Sequence, residues 1–322
     1  MNRRRRDDDD WAHTVTVAVV FPGQGSQSVG MADVWTAHPA GRSVIEEVSD
    51  AMGRDLAELS RDEEALKTTE VVQPALFACD LAAFRLLEAY GVRFSASAGH
   101  SLGEFVALVA AGTLELRPAL ELVVIRGRAM QRASEERPGT MTALIGIGAT
   151  DGAEIADVAR RDDVLVVANE NAPKQVVLSG SLDAIERAEE VARERGGKAM
   201  RLRVAGAFHS ALMESAVEDI NDAIATLSFS APAFPFVPNV TGTPTSDPDE
   251  IRDALRRHVV SPVRWETTIR SLAGAGVDSV VEAGPGDVLT KLARRTVEGL
   301  TATPVRSPEE AASVAAAVGG GS

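Results

Sequence analysis

A serine framed by two glycines, Gly99-His100-Ser101-Leu102-Gly103, follows a short extended run (92–97) and opens an apolar stretch (105–111). In a strand–turn–helix setting, G-x-S-x-G lifts the serine hydroxyl out of the turn, and the glycines let strand and helix pass close beside it. Ser101 then stands at a helix N-terminus, where unpaired N–H groups favour the negative charge that develops when a serine takes up an acyl group. Such a nucleophile needs a base, and five histidines are available. His13 and His38 share no motif with Ser101, His100 should face the other way along extended backbone, and His258 closes a helix. His209, after the small-residue run Ala205-Gly206-Ala207 and Phe208, opens an amphipathic helix and is the base expected. A third group, Arg126, lies among Leu120, Val123, Val124 and Met130 on a helix predicted over 117–133. It either snorkels to water or is held inside as a two-pronged donor for a carboxylate, while Arg128 points to the opposite side. Neither a close histidine pair nor a cysteine cluster exists, so no metal site is expected.

The elements that must position these residues can be read from the pattern. A β-branched, apolar strand over 14–21 ends at Pro22, followed by the loop Pro22-Gly23-Gln24-Gly25-Ser26-Gln27. That is the carboxyl end of a strand, where open α/β sheets place their ligand sites, and Gln24 can donate an N–H into such a site. No Gly-Lys-Ser/Thr follows, so the loop is not a phosphate-binding P-loop. Gln73-Pro74 leads into a helix predicted over 75–90 with proline in its first turn. Strands predicted over 141–147, 164–169, 175–179 and 198–203, with helices over 151–160 and 182–195, give the order β-α-β-β-α-β of a ferredoxin-like unit. The larger core resumes with a strand over 234–240, a helix over 248–258 and a last core strand over 277–282. The fold expected is α/β: a hydrolase-like large subdomain with a mainly parallel sheet (13–138 and 205–300) carrying an inserted ferredoxin-like small subdomain (139–204). Residues 1–12 read as a disordered charged tail and 301–322 as a flexible C-terminal tail.

Composition excludes several function classes. The 322 residues carry a formal charge of −14, with 33 basic against 47 acidic residues and 4% aromatics, which argues against nucleic acid as a partner. An acidic partner or polyanionic ligand would need a local basic patch; Arg256, Arg257, Arg264 and Arg270, then Lys291, Arg294 and Arg295, either supply one or are solvated helix faces. No apolar run approaches the roughly 20 residues of a membrane helix, and Arg3 to Arg6 followed by Asp7 to Asp10 is not a secretion signal. One cysteine, Cys79, cannot form an internal disulfide, which fits a reducing, cytoplasmic setting. Nothing demands an oligomer, and a monomer is expected.

Ordered motifs then carry a resemblance. Phe21-Pro22-Gly23-Gln24-Gly25-Ser26-Gln27, Gly99-His100-Ser101-Leu102-Gly103-Glu104, Arg126-Gly127-Arg128-Ala129-Met130-Gln131 and Ala207-Phe208-His209-Ser210-Ala211-Leu212-Met213 occur in the order found in the malonyl-CoA:acyl-carrier-protein transacylase family, which the chain resembles. That family includes the discrete enzyme of fatty-acid synthesis and the acyltransferase domains of polyketide synthases. Ser261-Pro262-Val263-Arg264-Trp265 and Glu282-Ala283-Gly284-Pro285-Gly286 add to the match, which covers roughly residues 14 to 297. The resemblance implies a ping-pong transfer of malonyl from coenzyme A, through an ester on Ser101, to the phosphopantetheine thiol of an acyl carrier protein. No cofactor is implied beyond those substrates. It further implies His209 as the base, backbone N–H groups of Gln24 and Leu102 as the oxyanion hole, and Arg126 as partner of the malonyl carboxylate. Phe208 would fill the space that an α-methyl group needs, Met130, Gln73 and Asn171 would line the site, and a backbone carbonyl near Pro262-Val263-Arg264-Trp265, with His258 as one candidate, would orient His209. The family often has glutamine or asparagine at that position, so the His258 ring is a second titrating group near the site. A trans-acting polyketide acyltransferase of other acyl selectivity shares this chemistry, and readings as an acyl hydrolase or esterase, or as a non-catalytic docking module, stay open. Arg126 argues against editing of neutral acyl groups, which have no carboxylate to pair.

Overall fold

The computed structural model describes residues 16–319, so the charged N-terminal stretch expected as a tail lies outside the described residues. Nine strands occur among them in the order β1 (Val17–Phe21), β2 (Ala96–Gly99), β3 (Thr140–Ile145), β4 (Leu165–Ala172), β5 (Gln175–Gly180), β6 (Lys198–Arg201), β7 (Phe236–Val237), β8 (Ser279–Ala283) and β9 (Thr301–Val305). They form two sheets. A five-stranded sheet runs β7-β2-β1-β8-β9 with every pairing parallel. Helices cover it, which is why β1 and β8 are buried at every position and read as unbroken rather than alternating apolar runs. The β1–β2 register sets Phe21 opposite Gly99, so the loops after both strands open at one edge.

The second sheet is antiparallel in the order β4-β5-β3-β6, with the helices Ala149–Arg160 and Leu182–Glu194 between its strands. This is the ferredoxin-like arrangement read from the sequence, with Ser181 capping the second helix by accepting from the Ala184 N–H. β4 of this sheet is tied to the segment 261–264 that precedes the helix at Trp265: the Val263 N–H donates to Ala168 O at 2.8 Å, and Val263 O accepts from the Glu170 N–H at 2.9 Å. No described helix is long and apolar enough to cross a membrane.

The main core surrounds the helix Thr69–Ala89, which buries both faces. It begins six residues before the expected start, so Pro74 lies inside the helix rather than in its first turn. Three further expectations are corrected. The strand expected over 234–240 is two residues long, because Pro235 and Pro238 bound it and lack the N–H a ladder needs. His209 precedes a 3₁₀ turn, Ala211–Ala216, before the helix Val217–Ala225 begins. The expected flexible tail (301–322) is instead structured over its described part: β9 extends the parallel sheet beyond β8, and the helix Pro308–Gly319 follows. Its polar threonines and alanine-rich end conceal the buried set Ala302, Val305, Ala311 and Val314.

Candidate active site

The turn after β2 leads within three residues into the helix Gly103–Ala110. A Cβ on Gly99 would stand 1.9 Å from the Gly103 carbonyl carbon, and one on Gly103 would stand 2.1 Å from Phe21 O. Both glycines are therefore required by close backbone approach, and Ser101 between them takes a left-handed φ of 51°. Gly23 closes the site from the β1 side, since a Cβ there would meet His100 O at 2.4 Å and the Leu102 N at 3.6 Å. The Gln24 and Leu102 N–H groups make no hydrogen bond among the described residues.

Ser101 Oγ lies 2.8 Å from His209 Nε2. On its other side, His209 Nδ1 lies 3.1 Å from His258 O and 3.0 Å from Ser261 O. Carbonyl oxygens only accept, so Nδ1 carries the proton and Nε2 presents a lone pair to the serine hydroxyl. Burial, then the neighbouring Arg126 charge, pushes the His209 pKa down to about 3 against the opposing pull of the two carbonyls. The ring is a neutral base. His209 also takes a left-handed φ, 58°, and Ser210 after it caps the 3₁₀ turn by accepting from the Leu212 N–H.

Arg126, on the helix Leu116–Glu136, is 1% exposed. Its Nη2 donates to Ser101 Oγ at 3.0 Å and its Nη1 to Gln73 Oε1 at 2.7 Å, while its Nε has no hydrogen-bond partner among the described residues. The guanidinium stands 5.3 Å from the Phe105 ring centroid. Burial draws its pKa down to about 10, with Glu104 opposing, so it stays charged at neutral pH. Among the described residues no carboxylate is hydrogen-bonded to this buried cation, which leaves donors open to an anion beside Ser101. Arg128 faces outward to Glu70.

The structure places the remaining predicted residues as follows. Met130 accepts from Gln73 Nε2 at 3.6 Å through its sulfur, so it orients the glutamine that holds Arg126. Phe208 is buried in the main core, next in sequence to His209. Asn171 reaches His100 Nε2 at 2.9 Å instead of Ser101, and Trp265 packs on the same His100 ring. Burial lowers the His100 pKa, with Asn171 opposing. The basic residues suggested as a patch are largely engaged locally: Arg256, Arg270 and Lys291 pair with Asp253, Glu266 and Asp287 on or beside their own helices.

Sequence reasoning missed Asn239, while the Ser261 carbonyl lies where a backbone acceptor beside Pro262-Val263-Arg264-Trp265 was expected. Asn239 is fully buried, accepts from the Ser101 N–H at 2.7 Å and donates from Nδ2 to Gly99 O at 2.5 Å. The signal available was an asparagine after a proline at the end of a core strand, where ligand sites gather, but the overlong strand expected over 234–240 absorbed it.

Comparison with known proteins places nearly the whole chain in one family. The model of the acyl transferase domain family matches residues 18–319. The malonyl CoA-acyl carrier protein transacylase of Escherichia coli strain K12 is 40% identical over 296 residues, spanning 90% of this chain and 96% of that one. The protein of the same name from Bacillus subtilis strain 168 is 35% identical over 298 residues, spanning 91% and 94%. Among solved structures, the acyl-carrier-protein S-malonyltransferase of Burkholderia pseudomallei 1710b is similar with a TM-score of 0.89 at 37% identity, covering 94% of this chain and 99% of that one. A malonyl-transacylase solved with its type II polyketide-synthase acyl-carrier protein is similar with a TM-score of 0.88 at 37% identity, covering 92% and 97%. With the family pattern spanning nearly the whole chain and the serine, histidine and arginine meeting at one point, this chain belongs to the acyl transferase domain family.

Proposed function

We propose that this chain transfers a malonyl group from malonyl-CoA to the phosphopantetheine thiol of an acyl carrier protein. The observation that carries the malonyl reading is Arg126, buried and charged, with Nη2 on the nucleophile and Nε unpartnered among the described residues. A malonyl carboxylate would take up these donors and so hold the thioester carbonyl over Ser101 Oγ. His209 Nε2 takes the serine proton as Oγ attacks, and the Gln24 and Leu102 N–H groups stabilise the oxyanion. Collapse breaks the carbon–sulfur bond, the coenzyme A sulfur leaves with the proton from His209, and malonyl remains as an ester on Ser101. In the second half the carrier thiol gives its proton to His209 and attacks that ester, which returns the serine hydroxyl.

No cofactor enters this scheme, since the serine–histidine pair supplies its proton transfers. Phe208 is read as the residue that crowds an α-methyl group, a selection worth about 1–3 kcal/mol. The carrier is read as one of fatty-acid or polyketide synthesis; one similar protein is solved with a type II polyketide-synthase acyl-carrier protein, and another is named for an acyl carrier protein alone. A monomer working in the cytoplasm fits a chain whose one cysteine, Cys79, is buried and free. Arg126→Ala tests the reading: malonyl transfer should fall by on the order of 10²–10³-fold, the loss expected when a buried ion pair loses one partner, and acetyl transfer far less. Equal losses for malonyl and acetyl would make Arg126 a structural residue and defeat the malonyl assignment.

A further inference from the structure

Behind the reacting Ser101–His209 contact, a second chain of contacts joins the same two residues. Asn239 holds the elbow by accepting from the Ser101 N–H and donating to Gly99 O, so it spans the strained turn on both sides of His100. Its own backbone is fixed as well: its N–H donates to Glu104 Oε1 at 3.1 Å and its carbonyl accepts from the Arg264 N–H at 2.9 Å. Glu104 is in the first turn of the helix that follows the elbow, and its other oxygen, Oε2, stands 3.1 Å from His258 Nε2 without hydrogen-bond alignment. Both side chains are 1% exposed. The His258 ring meets the His209 ring edge to face with centroids 5.3 Å apart, and the His258 carbonyl is one of the two that accept from His209 Nδ1.

Two bare lone pairs 3.1 Å apart in a dry interior would repel, so a hydrogen lies between them, on Glu104 as an O–H or on His258 as an Nε2–H. Burial favours the neutral partition, raising the Glu104 pKa to about 8 and lowering that of His258 well below the ordinary histidine value. Arg126 is the nearby cation, and it acts on both groups. The network connects the backbone of the nucleophile to the residue that supplies a carbonyl to the base.

We infer that Glu104 is a positioning residue, acting through Asn239 on the Ser101 elbow and through the His258 ring on the seat of His209, so that nucleophile and base keep one register. It touches neither the reacting atoms nor substrate. A displacement of about 1 Å at a reacting pair can cost on the order of 10²-fold in rate, so a residue that fixes both members has ample leverage. The inference rests on the malonyl-transfer reading above.

The test follows ester formation on Ser101 from malonyl-CoA by rapid quench, in the wild type, Glu104→Ala, Asn239→Ala, the double variant and Glu104→Gln, with thermal melting run alongside. Each alanine variant should slow the acylation step by about 10- to 100-fold at saturating malonyl-CoA with KM little changed. The double variant should be no slower than the slower single one, because both act along one path. Glu104→Gln, which keeps the shape and neutrality of a protonated carboxyl, should restore the rate to within about threefold of wild type. Multiplying losses in the double variant, a glutamine variant as slow as alanine, or Glu104→Ala at the wild-type rate would each overturn the inference. A wild-type protein that forms no ester would instead overturn the functional reading beneath it.

Discussion

At the scale of single residues, the site works by keeping a histidine neutral beside a permanent cation. His209 has no carboxylate behind it; two carbonyls hold its Nδ1 proton, and burial with Arg126 nearby holds the ring at a pKa of about 3. Its basic form is thus complete at any pH well above that value. The rate of acylation by malonyl-CoA should stay flat from about pH 7 down to about pH 5, with no inflection at the ordinary histidine pKa of about 6.5. Rapid-quench rates across that range check it, and a tenfold fall per unit below pH 6.5 would contradict it. Ser101 and His209 stood out because each breaks a local pattern, a serine between glycines and a histidine after small residues, whereas Arg126 in its apolar run stayed open between surface and clamp until the family resemblance favoured the clamp. Asn239 and Glu104 were not, since their roles come from neighbours 138 and 135 residues apart in the chain that only the fold brings together.

At the scale of elements, parallel pairing explains what the sequence could and could not reveal. The buried strands β1 and β8 announce themselves as apolar runs, and the small sheet follows from its βαββαβ order. By contrast, β9 is five residues long and carries threonines and a proline, features that an edge strand tolerates. It pairs with β8 along its whole length, and the helix Pro308–Gly319 packs Ala311 and Val314 against the core. Removing residues 301–322 would therefore expose the β8 edge and these apolar contacts. The truncated chain should lose several kcal/mol of stability and aggregate on heating well below the intact protein. Equal melting temperatures by circular dichroism would show that this segment is dispensable. Pro74 makes a related point: a proline marks a helix start only on average, and here burial of Val71 and Val72 extends the helix back to Thr69.

At the scale of the whole molecule, the two sheets and their connecting segments bury two histidines, His209 and His258, and several carboxyls, and their titrations act in opposite directions. His209, held at about 3 against 6.5, favours the fold fully above pH 6.5 and loses that contribution as pH falls. Glu104, held at about 8 against 4.5, favours the fold fully below pH 4.5 and loses its contribution as pH rises through 8. Between pH 6.5 and 8 the last deprotonation of histidine in the unfolded chain adds a small opposite slope, which Glu104, with buried Asp80 acting in the same sense as Glu104, should outweigh, so the protein becomes less stable as pH rises. Denaturant melts at pH 6.5 and 8 should show this, and Glu104→Gln should remove up to about 1.4 kcal/mol per pH unit of the slope. A slope unchanged in that variant would mean that Glu104 is ionised in the fold. The α/β class and both sheets were legible from periodicity, whereas these burials were not, because glutamate and histidine ordinarily lie outside. Ser101 carrying malonyl between two thiols is the central claim, and intact-protein mass spectrometry tests it most directly. After mixing with malonyl-CoA, one malonyl adduct should appear on Ser101 and move to a phosphopantetheinylated carrier protein once that is added. No adduct, or one released to water with the carrier unmodified, would contradict the transfer reading and leave a hydrolase in its place.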